Sequence, residues 1–316
     1  MTKRMLFWGI VLLLAACSSR SETEEAEIPT ASKPVSGFVF TSERDGNWEI
    51  YWMAEDGSGV TRLTETEISE GGASWSPDGR SLAFWSRREG NADIFVMAAD
   101  GSNPLNMAAD PKESGDEEFY TRWHPDGQSI AFFSNRFDNA GYSCATHRVG
   151  IMPLAGGTAG MIPIQEKIGN QETLAWSPDG KSLAFSSKSC GGSRINIQLY
   201  LWQVDNSEVT QLTRDEFINA GPAFSRNGRY FAYHSFRGDN SEIILLDLQS
   251  GEETNLSNHP AKDSHPTWSP DDSQIAFVTN RDGNDEIYVM DVNGNNLQNL
   301  TNHPARDFEP QWSPIP

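Results

Sequence analysis

A short motif recurs six times in this chain and limits what it can become. It reads Trp75-Ser-Pro-Asp-Gly, Trp123-His-Pro-Asp-Gly, Trp176-Ser-Pro-Asp-Gly, Phe224-Ser-Arg-Asn-Gly, Trp268-Ser-Pro-Asp-Asp and Trp312-Ser-Pro, at spacings of 48, 53, 48, 44 and 44 residues. A period in this range marks solenoids and propellers, and the content of each period decides between them. Each complete anchor is followed by an alternating apolar run such as Ser81-Leu-Ala-Phe-Trp-Ser86 or Gln274-Ile-Ala-Phe-Val-Thr279, which is strand and not helix. A turn follows, Arg44-Asp-Gly-Asn47 or Arg281-Asp-Gly-Asn284, then a second strand, Glu49-Ile-Tyr-Trp-Met53 or Glu286-Ile-Tyr-Val-Met290. An Asp-Gly turn leads to a short outer strand ending in Leu63-Thr64, Leu212-Thr213 or Leu300-Thr301. Four short strands per period make one propeller blade.

The ends of the repeat fix the number of blades. Residues 38–64 supply three strands with no anchor before them, and residues 308–312 supply an anchor strand with nothing after it. Together they make one composite blade. With five complete units this predicts an all-β, six-bladed β-propeller over residues 37–316, closed by pairing of the C-terminal strand with the first blade, which removes open sheet edges. The anchor tryptophans are then packing between blades. At these anchors the chain resembles the TolB-type propeller family, whose repeat runs Trp-Ser-Pro-Asp-Gly, apolar strand, Arg-Asp-Gly-Asn, Glu-Ile-Tyr-Val-Met, Asp-Gly, Leu-Thr. The resemblance covers about 280 of the 316 residues. It departs from TolB itself, which carries an α/β domain before its propeller where this chain has a short segment. The repeat also resembles the propellers of prolyl peptidases and oligogalacturonate lyases.

The residues before the propeller carry an address. Lys3 and Arg4 precede an apolar run over residues 5–14, too short to span a bilayer, which needs ~20 residues. The run ends in Leu14-Ala15-Ala16-Cys17, which resembles the lipobox of bacterial lipoproteins. That resemblance implies a signal peptide at 1–17, a lipid on Cys17, and, with Ser18 next, the periplasmic side of the outer membrane. Residues 18–36 are rich in Ser, Thr, Glu and Pro and read as a disordered tether. Lys and Arg number 24 against 44 Asp and Glu, a net charge of −20, which argues against nucleic-acid binding and for cationic or cation-bridged partners.

The alternation of strands puts the Ser-Pro-Asp-Gly and Asp-Gly turns on one face of the disc. The Arg-Asp-Gly-Asn loops and inter-blade connections lie on the other, where lengths vary and function is expected. Insertions at 137–148 and 188–194 carry Cys144 and Cys190, and an oxidising compartment predicts a disulfide between them. Five residues before each anchor stand Glu70, Glu118, Gln171, Asn219, Asp263 and Asp307. Six blades arrange them as a ring expected at the channel mouth, with His265 near it, as a binding site for a partner. The carboxylates of Asp263, Asp307, Glu70 and Glu118 are hard ligands suited to Ca²⁺. In TolB-like proteins the channel mouth is where a partner peptide enters, so the resemblance implies the same here.

Enzyme chemistry has weaker support. The resemblance to oligogalacturonate lyases implies a metal held by His265, His259, His303 and Gln171, but no tight ligand spacing accompanies it. Gly141-Tyr-Ser-Cys-Ala145 lacks the last glycine of a nucleophile elbow. The reading is therefore a monomeric, non-catalytic envelope lipoprotein whose propeller binds a protein segment or glycan. A metal-dependent lyase or hydrolase of acidic oligosaccharides is the first alternative, and a structural adaptor the second.

Overall fold

The computed structural model describes residues 27–107, 117–135, 147–155, 159–163, 168–189 and 196–315. It contains six four-stranded sheets, all with antiparallel neighbours, and no helix among the described residues. Blade two shows the unit: strands Glu70–Trp75, Ser81–Ser86, Asp93–Ala98 and Leu105–Asn106 pair in chain order. Blade one is composite, as its sequence predicts. The strand Asp307–Trp312 pairs with Phe38–Ser42, bringing Phe38 opposite Trp312 and Ser42 opposite Asp307. The first strands of neighbouring blades pack side by side and form the inner wall of the ring.

The apolar core lies between blades. Phe38, Phe40, Tyr51 and Met53 of blade one pack on Ala276, Ile287 and Val289 of blade six, while Ala232 and Ile243 of blade five pack on Trp268 and Ile275 of blade six. The inner strands of each sheet thus bury both faces, which is why runs such as Leu82-Ala-Phe-Trp85, expected to alternate, are apolar almost throughout. The anchor tryptophans Trp75, Trp123, Trp268 and Trp312 are buried in these interfaces.

The anchor turns are closed by their own side chains. The Ser76 hydroxyl donates to Asp78 at 2.6 Å, and the Arg80 and Ser81 amides donate to Asp78 and Ser76 at 3.1 and 2.9 Å. The segment before the ring differs from the tether expected over 18–36. Its described part lies along the turn face: Ala31 N–H and Val35 N–H donate to the carbonyls of Arg80 and Gly79 at 2.8 and 2.9 Å, and Ser81 donates to Pro29 O at 2.5 Å. Ile28 packs into the cluster holding Trp123 and Ile130. Three apolar residues, Ile28, Ala31 and Val35, with a few backbone bonds seat a stretch whose composition reads as unstructured. Residues 1–26, with Cys17, lie outside the described part.

Candidate functional site

The expected ring exists as a layer, but it is buried and not open at a mouth. Glu70, Glu118, Asn219, Asp263 and Asp307 are all at most 2% exposed. Gln171 lies on the strand Ile168–Trp176 at the equivalent position. The arginine of the loop after the second strand reaches back to this layer within its own blade. Arg44 meets Asp307 at 2.9 Å, Arg88 meets Glu70 at 2.5 Å and Arg281 meets Asp263 at 3.4 Å. Burial pushes the Asp263 carboxyl up, partly offset by bonds from Thr279 and Ser257 and by Arg281. In blade five the layer carries the neutral Asn219, and Arg237 turns instead to Glu253 at 2.6 Å.

The rest of the loop motif is also absorbed by the scaffold. Tyr51 and Tyr288 donate to Asp45 and Asp282, and burial with that carboxylate bond pushes the Tyr288 phenol up to about 12. The Asn284 amide donates to Glu286 at 2.9 Å and to the carbonyls of His303 and Ala305 at 2.8 and 3.0 Å. The Asn47 and Asn240 amides make the same reach in their blades. In blades one, five and six the repeat signature therefore ties the blade to its next connection.

This donor set does not fit a shared calcium ion. The carboxylates sit in separate blades, three of them face guanidinium groups, and the described residues contain no group of three or more His, Cys, Asp or Glu side chains able to hold a metal. Among the described residues, His259, His265 and His303 of the lyase-like set form no such group either. His259 and His303 each accept the amide of the alanine two residues on, at 3.1 Å, and so shape their connections.

The channel is lined two residues further along. Every first strand carries a register shift at this point. Such a bulge re-aims one side chain. The residues delivered are Gly72, Tyr120, Thr173, Gly221, His265 and Glu309, which enclose a neck of about 20 Å³, room for little more than a water. Gly72, Tyr120, Gly221, His265 and Glu309 all have φ between 51° and 65°. Glycine is required at 221, where a Cβ would lie 2.6 Å from His234 Nδ1. His265, expected near the channel, is one wall of this neck. Its ring lies 5.4 Å from that of His234. Burial pulls both imidazoles down, His234 to about 3, so both are neutral at pH 7. Glu309 accepts from the Thr41 hydroxyl and the Gly72 amide, each at 3.1 Å.

On the loop face the neck widens into a cavity of about 800 Å³ that shares Tyr120 and Glu309 with it. An aromatic arc forms its wall. Phe308, Trp48, Trp85 and Phe119 meet edge to face at centroid distances of 5.2, 6.1 and 5.5 Å, and His147 continues the arc 6.3 Å from Phe119. Such contacts hold large apolar side chains rigid beside solvent. Glu67 and the exposed Ile68 border the opening. Its one arginine, Arg87, is already paired with Glu117 at 2.9 Å and stacked over Phe119.

Sequence reasoning chose this face but not these residues. Their signal is departure from the repeat: Trp48 stands where blade six has Asp285, and Trp85 where the equivalent strands have Ser186 and Val278. Cys144 and Cys190, expected to pair, lie outside the described residues.

The chain shares this architecture with several solved proteins. TolB from Acinetobacter baumannii superimposes with a TM-score of 0.71 at 19% identity, over 88% of this chain and 66% of that one. A chain from the nidogen–laminin complex gives 0.68 at 11% identity over 88% of this chain and 98% of its own. An oligogalacturonate lyase in complex with manganese gives 0.57 at 17% identity over 86% and 76%. An uncharacterized protein of Agrobacterium fabrum, Atu1656, is 35% identical over 68 residues, 22% of each chain. This chain thus matches about a fifth of that relative and just under two thirds of the Acinetobacter TolB. The TolB beta propeller domain itself is matched over residues 21–152 and 199–315, and with six blades closed by the last strand the chain belongs to the TolB β-propeller family.

Proposed function

We propose that this protein is a non-catalytic binding platform of the bacterial cell envelope, lipid-anchored through Cys17, that takes a segment of a partner protein at the loop-face mouth of its channel. The aromatic arc of Trp48, Trp85 and Phe119 around an open cavity carries this reading. Rigid aromatics beside a wet opening are what binding hot spots are made of. Glu67 and Glu309 add negative charge while Arg87 is already paired, so the favoured segment carries a basic side chain next to an apolar one. Membership of the TolB family supports a protein partner, and the turn-bound His259 and His303 favour a platform over a lyase.

The test is capture of envelope proteins by the immobilised full chain, with Trp48→Ala/Phe119→Ala as the control. A protein retained by the native chain and lost from the variant, while both fold alike, supports the reading. Equal retention by both removes the arc from the function.

A further inference from the structure

The other end of the channel opens on the turn face into a second cavity of about 480 Å³. The repeat itself makes the wall: the five anchor tryptophans, Phe224, and prolines of the anchor turns. Its charge is the reverse of what the composition predicts. Two lining residues are cationic, Arg122 and Arg226, and none is a carboxylate, in a chain whose acids outnumber its bases by 44 to 24.

Neither arginine has a carboxylate within ion-pair distance, although the field of Glu309 across the neck favours the charged form of Arg122. Eight other arginines, among them Arg44, Arg88, Arg229 and Arg281, pair with carboxylates within 4 Å. Arg122 donates only to the carbonyl of Thr121, at 2.8 Å, and lines both the neck and this cavity. Burial pulls its guanidinium down to about 10, which leaves it charged at neutral pH. Arg226 stands where five of the six anchors have proline, and its side chain is exposed. Asp272 turns both oxygens to the backbone amides of Arg226 and Asn227, at 2.6 and 2.9 Å, and leaves that guanidinium free. Arg122 is desolvated with only the longer-range field of Glu309 to offset it, and the exposed Arg226 adds a second positive charge at the same mouth, so a carboxylate brought there would complete the arrangement.

We infer that this mouth docks an extended acidic segment of a partner protein, with its carboxylates on Arg122 and Arg226 and its backbone against the indole and proline rings. Charge complementarity selects the occupant, and Trp and Pro side chains lose little entropy on contact. The neck of about 20 Å³ bars passage of a peptide, so this site is separate from the loop-face mouth.

The test uses the full chain and fluorescein-labelled hexaglutamate, hexalysine and vesicles of phosphatidylglycerol, read by anisotropy and sedimentation at low salt. The expected result is hexaglutamate binding that weakens by about tenfold in Arg122→Gln/Arg226→Gln and is unchanged in Trp48→Ala. Should the double variant fail to fold, Arg226→Gln alone, at an exposed position, is expected to weaken binding by about threefold. The inference is overturned by absence of hexaglutamate binding, by equal binding to the arginine variants, by preference for hexalysine, or by binding to the vesicles in place of the peptide.

Discussion

Arg44 and Asp307 stand 263 positions apart in sequence, and one guanidinium nitrogen of Arg44 lies 2.9 Å from both carboxylate oxygens of Asp307. The pair sits inside blade one and joins the start of the propeller to its end. The Asp307 side chain is fully buried, so removing its partner leaves a charge with no water to receive it. Arg44→Ala is expected to lower stability by about 3–5 kcal/mol in urea unfolding. Arg44→Ala/Asp307→Asn should recover part of that loss, and no recovery would show that stacking of the Arg44 guanidinium over Phe40 and Tyr51 carries the effect.

Gly221 is held at φ 65° with His234 Nδ1 at 2.6 Å from the place of a Cβ. Gly221→Ala therefore meets both backbone strain and a clash, and should cost about 2–4 kcal/mol. Gly46, at φ 101° with nothing within 4 Å, has the strain alone, so Gly46→Ala should cost only about 1 kcal/mol. A thermal melt of Gly221→Ala/His234→Ala checks the assignment, since removing the imidazole should return the clash component only.

The two neck histidines make stability depend on pH. Both have folded pKa values below the ordinary 6.5, so below that pH the unfolded chain binds protons that the folded one refuses. Stability should fall as pH drops from about 6.5 toward 4, by up to about 1.4 kcal/mol per pH unit for each histidine. Chemical unfolding of His234→Asn across this window should show a shallower slope than the native protein. An unchanged slope would move the effect to the carboxylates.

Asn284 tests the claim that the loop motif is scaffold. Its amide ties Glu286 and the carbonyls of His303 and Ala305 together, and Asn284→Ala leaves these acceptors without their donor. The expected cost is about 1–3 kcal/mol, seen as a lower urea midpoint with the m-value unchanged.

The blades were legible because nearly every motif residue has a local task that recurs with the period. Arginine reaches the inner layer, Asp takes the tyrosine hydroxyl and Asn binds the connection, so the spacing carries the architecture directly. The channel was less legible. Glu70 and its equivalents occupy one layer, as the register predicts, but the bulge that follows turns the chain so that Gly72, His265 and Glu309 reach the axis instead. A bulge is a property of pairing between strands, and a period count does not contain it. The aromatic arc was hidden for a related reason: Trp48, Trp85 and Phe119 come from three successive blades and meet only when those blades pack side by side.

The composite blade has a consequence for the protein's birth. A chain made from its amino end exposes the edge of Phe38–Ser42 until Asp307–Trp312 arrives to cover it. Throughout synthesis that edge is open to pairing with strands of other nascent copies. A molecule that lacks the last strand keeps that edge unpaired, so truncation before Asp307 is expected to leave blade one with an open, pairing-prone edge.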